Sequence, residues 1–265
     1  MIQFNIFPGG KRRVATFSYD DGHNDAPLIA LFNQYGIKGT FHLNGSKYAD
    51  MTDAELYAVR KQYAGHEIAC HTLQHGFPNY MPIQSIVKET MEDRLLLEQI
   101  AEYPVLGMSY PFGQCAGFVT EAMRSCGIVY ARTTCSTGGF DLPWNFMHWN
   151  PSCHHKDCLA LTKQFVSEIE HAWKSPLLYI WGHSHEFQTP SDWNFMEKTI
   201  KLLSDYQEKI WFAANIEIYE YITAQRLLRI SADEHRFYNP TSTDVLVERD
   251  RKEIICIPAG KQIEA

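Results

Sequence analysis

What most constrains the fold of this 265-residue chain is a repeated alternation of short apolar runs with amphipathic stretches. The run Val14-Ala15-Thr16-Phe17-Ser18-Tyr19 reads as a buried strand that halts at Asp20-Asp21-Gly22. Leu28, Leu31 and Phe32 follow at helical spacing and predict a helix over 25–34. The same reading gives strands over 37–43, 67–70, 105–109, 128–132, 177–181 and 210–213. Helices are expected between them, over 53–62, 83–103, 118–125, 159–173 and 192–205. Strands alternating with helices mean α/β architecture with a parallel sheet, and about seven such units predict a (β/α) barrel over residues 1–225. An open doubly wound sheet would usually carry a Gly-rich phosphate turn after its first strand, and none is present. Beyond 226 the pattern changes to short strands, at 227–230, 235–238, 245–247 and 253–257, separated by Asp, Asn, Pro and Gly. A small antiparallel β appendage is expected over 226–265.

Composition narrows the function. The formal net charge is −7 and the longest basic run is Lys11-Arg12-Arg13, so there is no electrostatic footprint for nucleic acid. No stretch approaches the roughly 18 to 20 apolar residues of a membrane span. The first basic residues come after the first apolar ones, the reverse of a secretory signal. The chain as given therefore reads as cytoplasmic, although a signal removed beforehand would leave no trace. Seven cysteines with no C-x-x-C pair argue against a disulfide framework and for a reduced compartment. Cys153, His155 and Cys158 form a possible soft metal set, but their spacing fits no structural zinc pattern well. Nothing in the sequence speaks to oligomeric state.

Polar residues gather where the expected strands end. Asp20 and Asp21 end the first, His71 and His75 follow the third, Ser109 to Phe112 the next, and His183 a late one. In a β/α barrel these ends converge on one face, where loops build the active site. Adjacent carboxylates on a strand end point in different directions, so one can bind a cation while its neighbour addresses a water beside it. His71 and His75 are four apart, and a helical turn would put both imidazoles on one face. Two imidazoles and a carboxylate leave coordination positions open, as hydrolytic metal sites require. Either piece alone reads as a turn or a surface feature. Together they point to a metal site.

At this point a family resemblance emerges. Thr16-Phe17-Ser18-Tyr19-Asp20-Asp21-Gly22 resembles the T-F-D-D-G motif of the polysaccharide deacetylases, the family-four carbohydrate esterases. Gly65-His66-Glu67-Ile68-Ala69-Cys70-His71-Thr72-Leu73-Gln74-His75 is similar to that family's G-H-E-I-x-x-H-[ST]-x-x-H segment. Gly39-Thr40-Phe41-His42 fits the strand between them, with His42 at an aromatic position. The resemblance runs over roughly residues 12 to 220 and leaves the tail unexplained. It implies a distorted β/α barrel, a divalent metal and removal of acyl groups from a carbohydrate or small acylated substrate. Zinc comes first, with cobalt, nickel and iron suiting the same ligands.

Carried over by residue, the resemblance makes Asp20 the general base and Asp21, His71 and His75 the metal ligands. Leu178-Tyr179-Ile180-Trp181-Gly182-His183 is similar to the family's apolar strand ending in His, which makes His183 the general acid, with His185 as competitor. The segment Gly182 to Glu186 also reads as a polar rim whose second His and Glu orient the first. Tyr110 and Phe112, together with Trp144 and His185, are the candidate substrate contacts. Trp144 belongs to an aromatic loop with Phe146, His148 and Trp149 that suits either sugar stacking or lid packing. The sequence departs from the family at its third motif, which usually reads R-x-P-[FY]. Here it is Ser109-Tyr110-Pro111-Phe112, so the arginine beside the base is missing; either another residue replaces it, with Arg132 at another strand end as one candidate, or Asp20 is a weaker or differently tuned base. The D-x-x-D-W fourth motif is absent, Asp141 to Trp144 being at most a remnant. These departures leave two alternatives, a hydrolase of small cyclic amides on the same fold and an inactive glycan-binding protein.

Overall fold

A computed structural model describes residues 1–169 and 176–265. After the two-residue strand β1 (Ile2–Gln3) come β2 (Arg13–Asp20), α1 (Asp25–Gln34), β3 (Thr40–Leu43), α2 (Asp53–Gln62), β4 (Glu67–Cys70) and α3 (Ile83–Ala101). The chain continues through β5 (Gly107–Ser109), α4 (Gly117–Ser125), β6 (Tyr130–Arg132), β7 (Cys153–His154), α5 (Cys158–Ser167), β8 (Leu177–His183), α6 (Pro190–Ser204), β9 (Ile210–Phe212) and α7 (Asn215–Leu227). It ends in β10 (Arg229–Ile230), β11 (Arg236–Tyr238), β12 (Val245–Arg249), β13 (Glu253–Ile257) and β14 (Gln262–Glu264).

Every residue of β2 is buried, as expected for a parallel strand covered on both faces. The strands run in the order β6-β5-β4-β3-β2-β8-β7, all parallel. One edge of β2 is shared, its first residues Arg13 to Ala15 pairing with β9 and its last, Ser18 to Asp20, with β3. That sharing distorts the barrel. The ring is drawn together by the segment around β7. Trp149 bridges to Arg132 at the end of β6, and four residues later Cys153 pairs with Ile180 of β8. Helices start where their capping chemistry allows. Thr52 and Glu55 form a reciprocal capping box before α2, and Thr189 and Asp192 do so before α6, where Pro190 takes the first helical position.

The expected distorted barrel is present, with three differences in detail. The helix expected over 159–173 is α5, and residues 170–173 lie outside the described residues. The strand β7 and the helix α7 have no counterpart in the sequence reading. In α7, Ile218, Tyr221, Ile222, Ala224 and Gln225 are all buried, because it packs on the barrel on one side and on the tail on another. A helix covered on two sides lacks the one-sided periodicity that betrays an amphipathic one. The tail forms two antiparallel sheets, β1-β12-β13 and β10-β11-β14, so the first strand of the chain is built into it. Tyr221 locks this arrangement by donating to the Ile6 carbonyl and accepting from Leu246 N–H.

At the N-terminal ends of the barrel strands Glu67 is buried and accepts hydrogen bonds from Thr40 Oγ1 (2.9 Å), Tyr130 OH (2.7 Å) and Ile216 N–H (3.0 Å). It thereby ties β3, β4, β6 and α7 together. Burial outweighs these bonds and pushes its carboxyl up from 4.5 to about 7. With the folded value raised, the stabilising contribution is complete below pH 4.5 and is lost as pH rises through 7. The whole swing is about 3 kcal/mol. Glu67→Gln keeps an acceptor and cannot ionise, so its melting temperature should fall less between pH 5 and pH 8.5 than that of the native chain. Equal slopes in calorimetric scans would refute this account.

Candidate metal centre and active site

The C-terminal ends of β2, β4, β5, β6 and β8 meet on one face. Asp20, the last residue of β2, is buried, and Asp21 follows in a left-handed turn (φ 74°) with its N–H donating to the His42 carbonyl. Asp21 Oδ1 lies 3.7 Å from His71 Nε2 and 3.8 Å from His75 Nε2. Ligand atoms of these three residues are all within 4.8 Å of one another.

The two histidines do not sit on a helical turn, as the spacing suggested. They flank a loop after β4, and left-handed conformations at Thr72 (φ 62°) and His75 (φ 53°) fold His75 back over His71, with ring centroids 4.6 Å apart. Such conformations cost energy outside glycine and need support from the surroundings. Asn44 supplies part of it by donating to the carbonyls of His71 and Thr72, both at 2.9 Å. Asp93, fully buried on α3, takes the N–H groups of His71 (3.1 Å) and Gly45 (2.6 Å). Burial raises its carboxyl to about 7 against those bonds.

Ser109 sets the proton positions. Its hydroxyl donates to Asp20 Oδ1 (3.0 Å), and both its Oγ (2.7 Å) and its carbonyl (2.8 Å) face His71 Nδ1. A carbonyl only accepts, so Nδ1 carries the proton and Nε2 turns its lone pair toward Asp21. Burial holds His71 below the ordinary imidazole value, against the pull of Asp20, which keeps it neutral as a ligand must be. Ser109 and Arg132 are register partners on β5 and β6. The guanidinium missing from position 109 is therefore supplied at the same level one strand over. Arg132 is fully buried, donates to Asp20 Oδ2, to Ser18 Oγ (3.0 Å) and to the Thr133 carbonyl (3.0 Å), and lies over the Trp181 ring at 4.5 Å. Burial alone would raise the Asp20 carboxyl. The buried Arg132 guanidinium reverses that and holds it well below the usual carboxylate range. His42, beside Asp20 on β3, is driven down to about 3 by its own burial and stays neutral.

His183 ends β8 in register with Asp20, its Nε2 4.0 Å from Asp21 Oδ2 and its Nδ1 3.8 Å from Glu186 Oε1. His185 is exposed, its ring 5.2 Å from His183 and 6.1 Å from His23. Phe112 is half exposed beside the metal ligands. It meets the His75 ring edge-on at 4.6 Å and stacks on Phe77 at 4.2 Å with the planes 2° apart. The sequence reading missed Phe77, whose only signal was its position two residues past His75.

One expected substrate contact, Tyr110, turns into the core. The Tyr110 side chain is buried, donating to the Met147 carbonyl (2.9 Å) and Thr120 (3.2 Å). Trp144 is 94% exposed, but its carbonyl accepts from Arg226 near the end of α7. Phe146 and Trp149 of the same loop are buried in a core cluster with residues of α7. The soft set of Cys153, His155 and Cys158 does not assemble either. Cys158 Sγ bonds to Thr199 Oγ1, while His155 Nε2 is 3.2 Å from Glu186. Gly182 makes room for that ring, since a Cβ there would stand 1.9 Å from His155 Nδ1.

Removing one partner of a buried ion pair strands the other. Arg132→Ala should cost about 3 to 5 kcal/mol of unfolding free energy. Asp20→Asn in the same background should return part of that loss, because no buried charge is left unpaired. Additive effects of the two substitutions in denaturant titrations would show that the pair is not coupled.

Comparison with known proteins follows this geometry. Residues 8–131 match the sequence model of the family described as polysaccharide deacetylase. A peptidoglycan-N-acetylglucosamine deacetylase from Bacillus cereus is 30% identical over 122 residues, and the match spans 45% of this chain and 43% of that protein. Among solved structures, a candidate polysaccharide deacetylase from Mycobacterium smegmatis aligns with a TM-score of 0.61 and 15% identity, covering 83% of this chain and 93% of that one. A family-four pseudoenzyme from Bacillus anthracis aligns with a TM-score of 0.56 and 12% identity, covering 78% of this chain and 65% of that one. Likeness at such identities concerns the fold, and the fold alone does not decide activity. No helix among the described residues is long and apolar enough to cross a membrane. Residues 8–131 are thus similar in sequence to the polysaccharide deacetylases, and the chain has a distorted β/α barrel fold like that of the solved family-four structures.

Proposed function

We propose that this chain is a divalent-metal-dependent hydrolase that removes acetyl groups from N-acetylated sugars. The observation that carries this reading is the pairing of two differently prepared carboxylates. Asp20 is clamped by Arg132 and Ser109, while its neighbour Asp21 faces the Nε2 atoms of two imidazoles. The residues fit a metal. The tautomer that Ser109 imposes on His71 leaves Nε2 as the ligand atom, and a carboxylate with two imidazoles suits zinc first, with cobalt, nickel or iron also accommodated.

An ion held by Asp21, His71 and His75 would supply Lewis acidity to an acyl carbonyl and make a nearby water easier to deprotonate. Asp20, kept ionised by Arg132 across the working pH range, orients that water and accepts its proton as it attacks the acyl carbon. Its two oxygens are tied to Ser109 and Arg132, so the carboxylate is held in one orientation before substrate arrives. His183, the register partner of Asp20 on the neighbouring strand β8, protonates the leaving amine, and acetate and a free amino sugar result. The flat Phe77–Phe112 pair beside His75 offers a stacking surface for the apolar face of a pyranose ring.

Acetate release from N-acetylated and O-acetylated oligosaccharides, with small cyclic amides as the comparison class, tests the reading. Chelator should abolish release and added zinc should restore it. His71→Ala should lose the ion, whereas Asp20→Asn should retain it with turnover lowered by about 10²- to 10⁴-fold. Phe77→Ala should raise KM for oligosaccharides more than it lowers kcat. Full activity in His71→Ala or Asp20→Asn would end the proposal, and turnover of cyclic amides alone would move it to a different substrate class.

A further inference from the structure

Among the described residues a second group offers ligand atoms within 4.8 Å of one another, and the reaction above does not use it as a ligand set. β7 ends in His154, β8 ends in His183, and the turn after β8 carries Glu186. His154 Nε2 and His155 Nε2 approach Glu186 Oε2 at 3.1 and 3.2 Å, and Lys156 Nζ approaches Oε1 at 3.1 Å. His154 Nδ1 accepts from the Lys156 N–H at 3.4 Å, which turns Nε2 toward the glutamate. His183 Nδ1 is buried, faces the same carboxylate at 3.8 Å and makes no hydrogen bond. His183 therefore stands between two sites, with Nε2 toward Asp21 and Nδ1 toward Glu186.

We propose that His154, His183 and Glu186 form a second divalent-cation site, weaker than the first, whose occupation shuts off the reaction. Two imidazoles and a carboxylate favour a borderline cation such as zinc over magnesium or calcium. The site is the weaker one because the Lys156 ammonium already sits on Glu186 and must leave before a cation binds. Its side chain is 61% exposed, so it has water to swing into. Coordination commits the His183 Nδ1 lone pair and ties the ring toward Glu186, away from a substrate in front of Asp21. The ion binding stands on this geometry alone. The inhibition rests on the reading of His183 as the acid.

Equilibrium dialysis of the full chain against zinc, counted by atomic emission, separates the two claims. The native chain should bind two ions, one tightly and one weakly. His71→Ala should lose the tight ion and keep the weak one, and His154→Ala should do the reverse. Lys156→Ala should bind the weak ion several-fold more tightly. Excess zinc should inhibit acetate release by the native chain but not by His154→Ala, whose activity at one equivalent of zinc should match the native chain. Should His154→Ala fail to fold, Glu186→Gln is counted in its place for ions alone. A native chain that saturates at one ion, or a His154→Ala variant that still binds two, overturns the second site. Two ions with no inhibition overturns its link to His183. If no protein releases acetate under any metal loading, the proposed reaction fails while the ion count still decides the site.

Discussion

A guanidinium and a carboxylate, both buried, face each other at the mouth of this barrel, and much of the site follows from that pair. Taking either charge out of water alone would be costly, so Arg132 and Asp20 hold each other in place and each recruits further partners. Arg132 spends its remaining donors on Ser18 and Thr133. Asp20 spends its other oxygen on Ser109, which in turn fixes the proton of His71. The ion pair thus reaches the candidate metal ligand His71 through one hydroxyl. It also sets the two adjacent carboxylates apart, since Asp20 has a protein donor on each oxygen while Asp21 faces imidazoles.

The ligand loop rests on a second layer of the same kind. Left-handed conformations at Asp21, Thr72 and His75 accompany the meeting of three candidate ligands, Asp21, His71 and His75, from two loops, and none of the left-handed residues is glycine. Asn44 and Asp93 hold the backbone around His71 in compensation. Asp93 comes from α3, on the outside of the barrel, so helix packing and ligand geometry are mechanically joined. The second imidazole cluster arises differently. β7 is only two residues long, yet its pairing with β8 is what lays His154 beside His183 and Glu186.

Much of this was legible in the sequence, and the failures have specific causes. The alternation of buried runs and amphipathic stretches gave the barrel, because a parallel strand covered on both faces must be apolar throughout. Strand ends marked Asp20, Asp21, His71, His75 and His183, which the structure brings to one face. The helical turn expected at His71 and His75 was wrong because non-glycine left-handed residues leave no compositional trace. Tyr110 was misplaced because an aromatic at a strand end is equally at home in a core or on a sugar, and here its hydroxyl is taken up by Met147 and Thr120 inside the core. Helix α7 escaped notice because the barrel and the tail cover it from two sides.

The sequence by itself determined which kinds of residue stand at each strand end, since hydrophobic burial and turn chemistry act over a few neighbouring positions. It also showed that the arginine expected beside the base was absent from position 109. Only the tertiary structure decided that Arg132 stands in for it. That substitution depends on β5 and β6 pairing so that Ser109 and Arg132 share a level, and on the ring closing so that both face Asp20. Register and closure are set by the packing of the whole barrel, and no stretch of chain carries them alone.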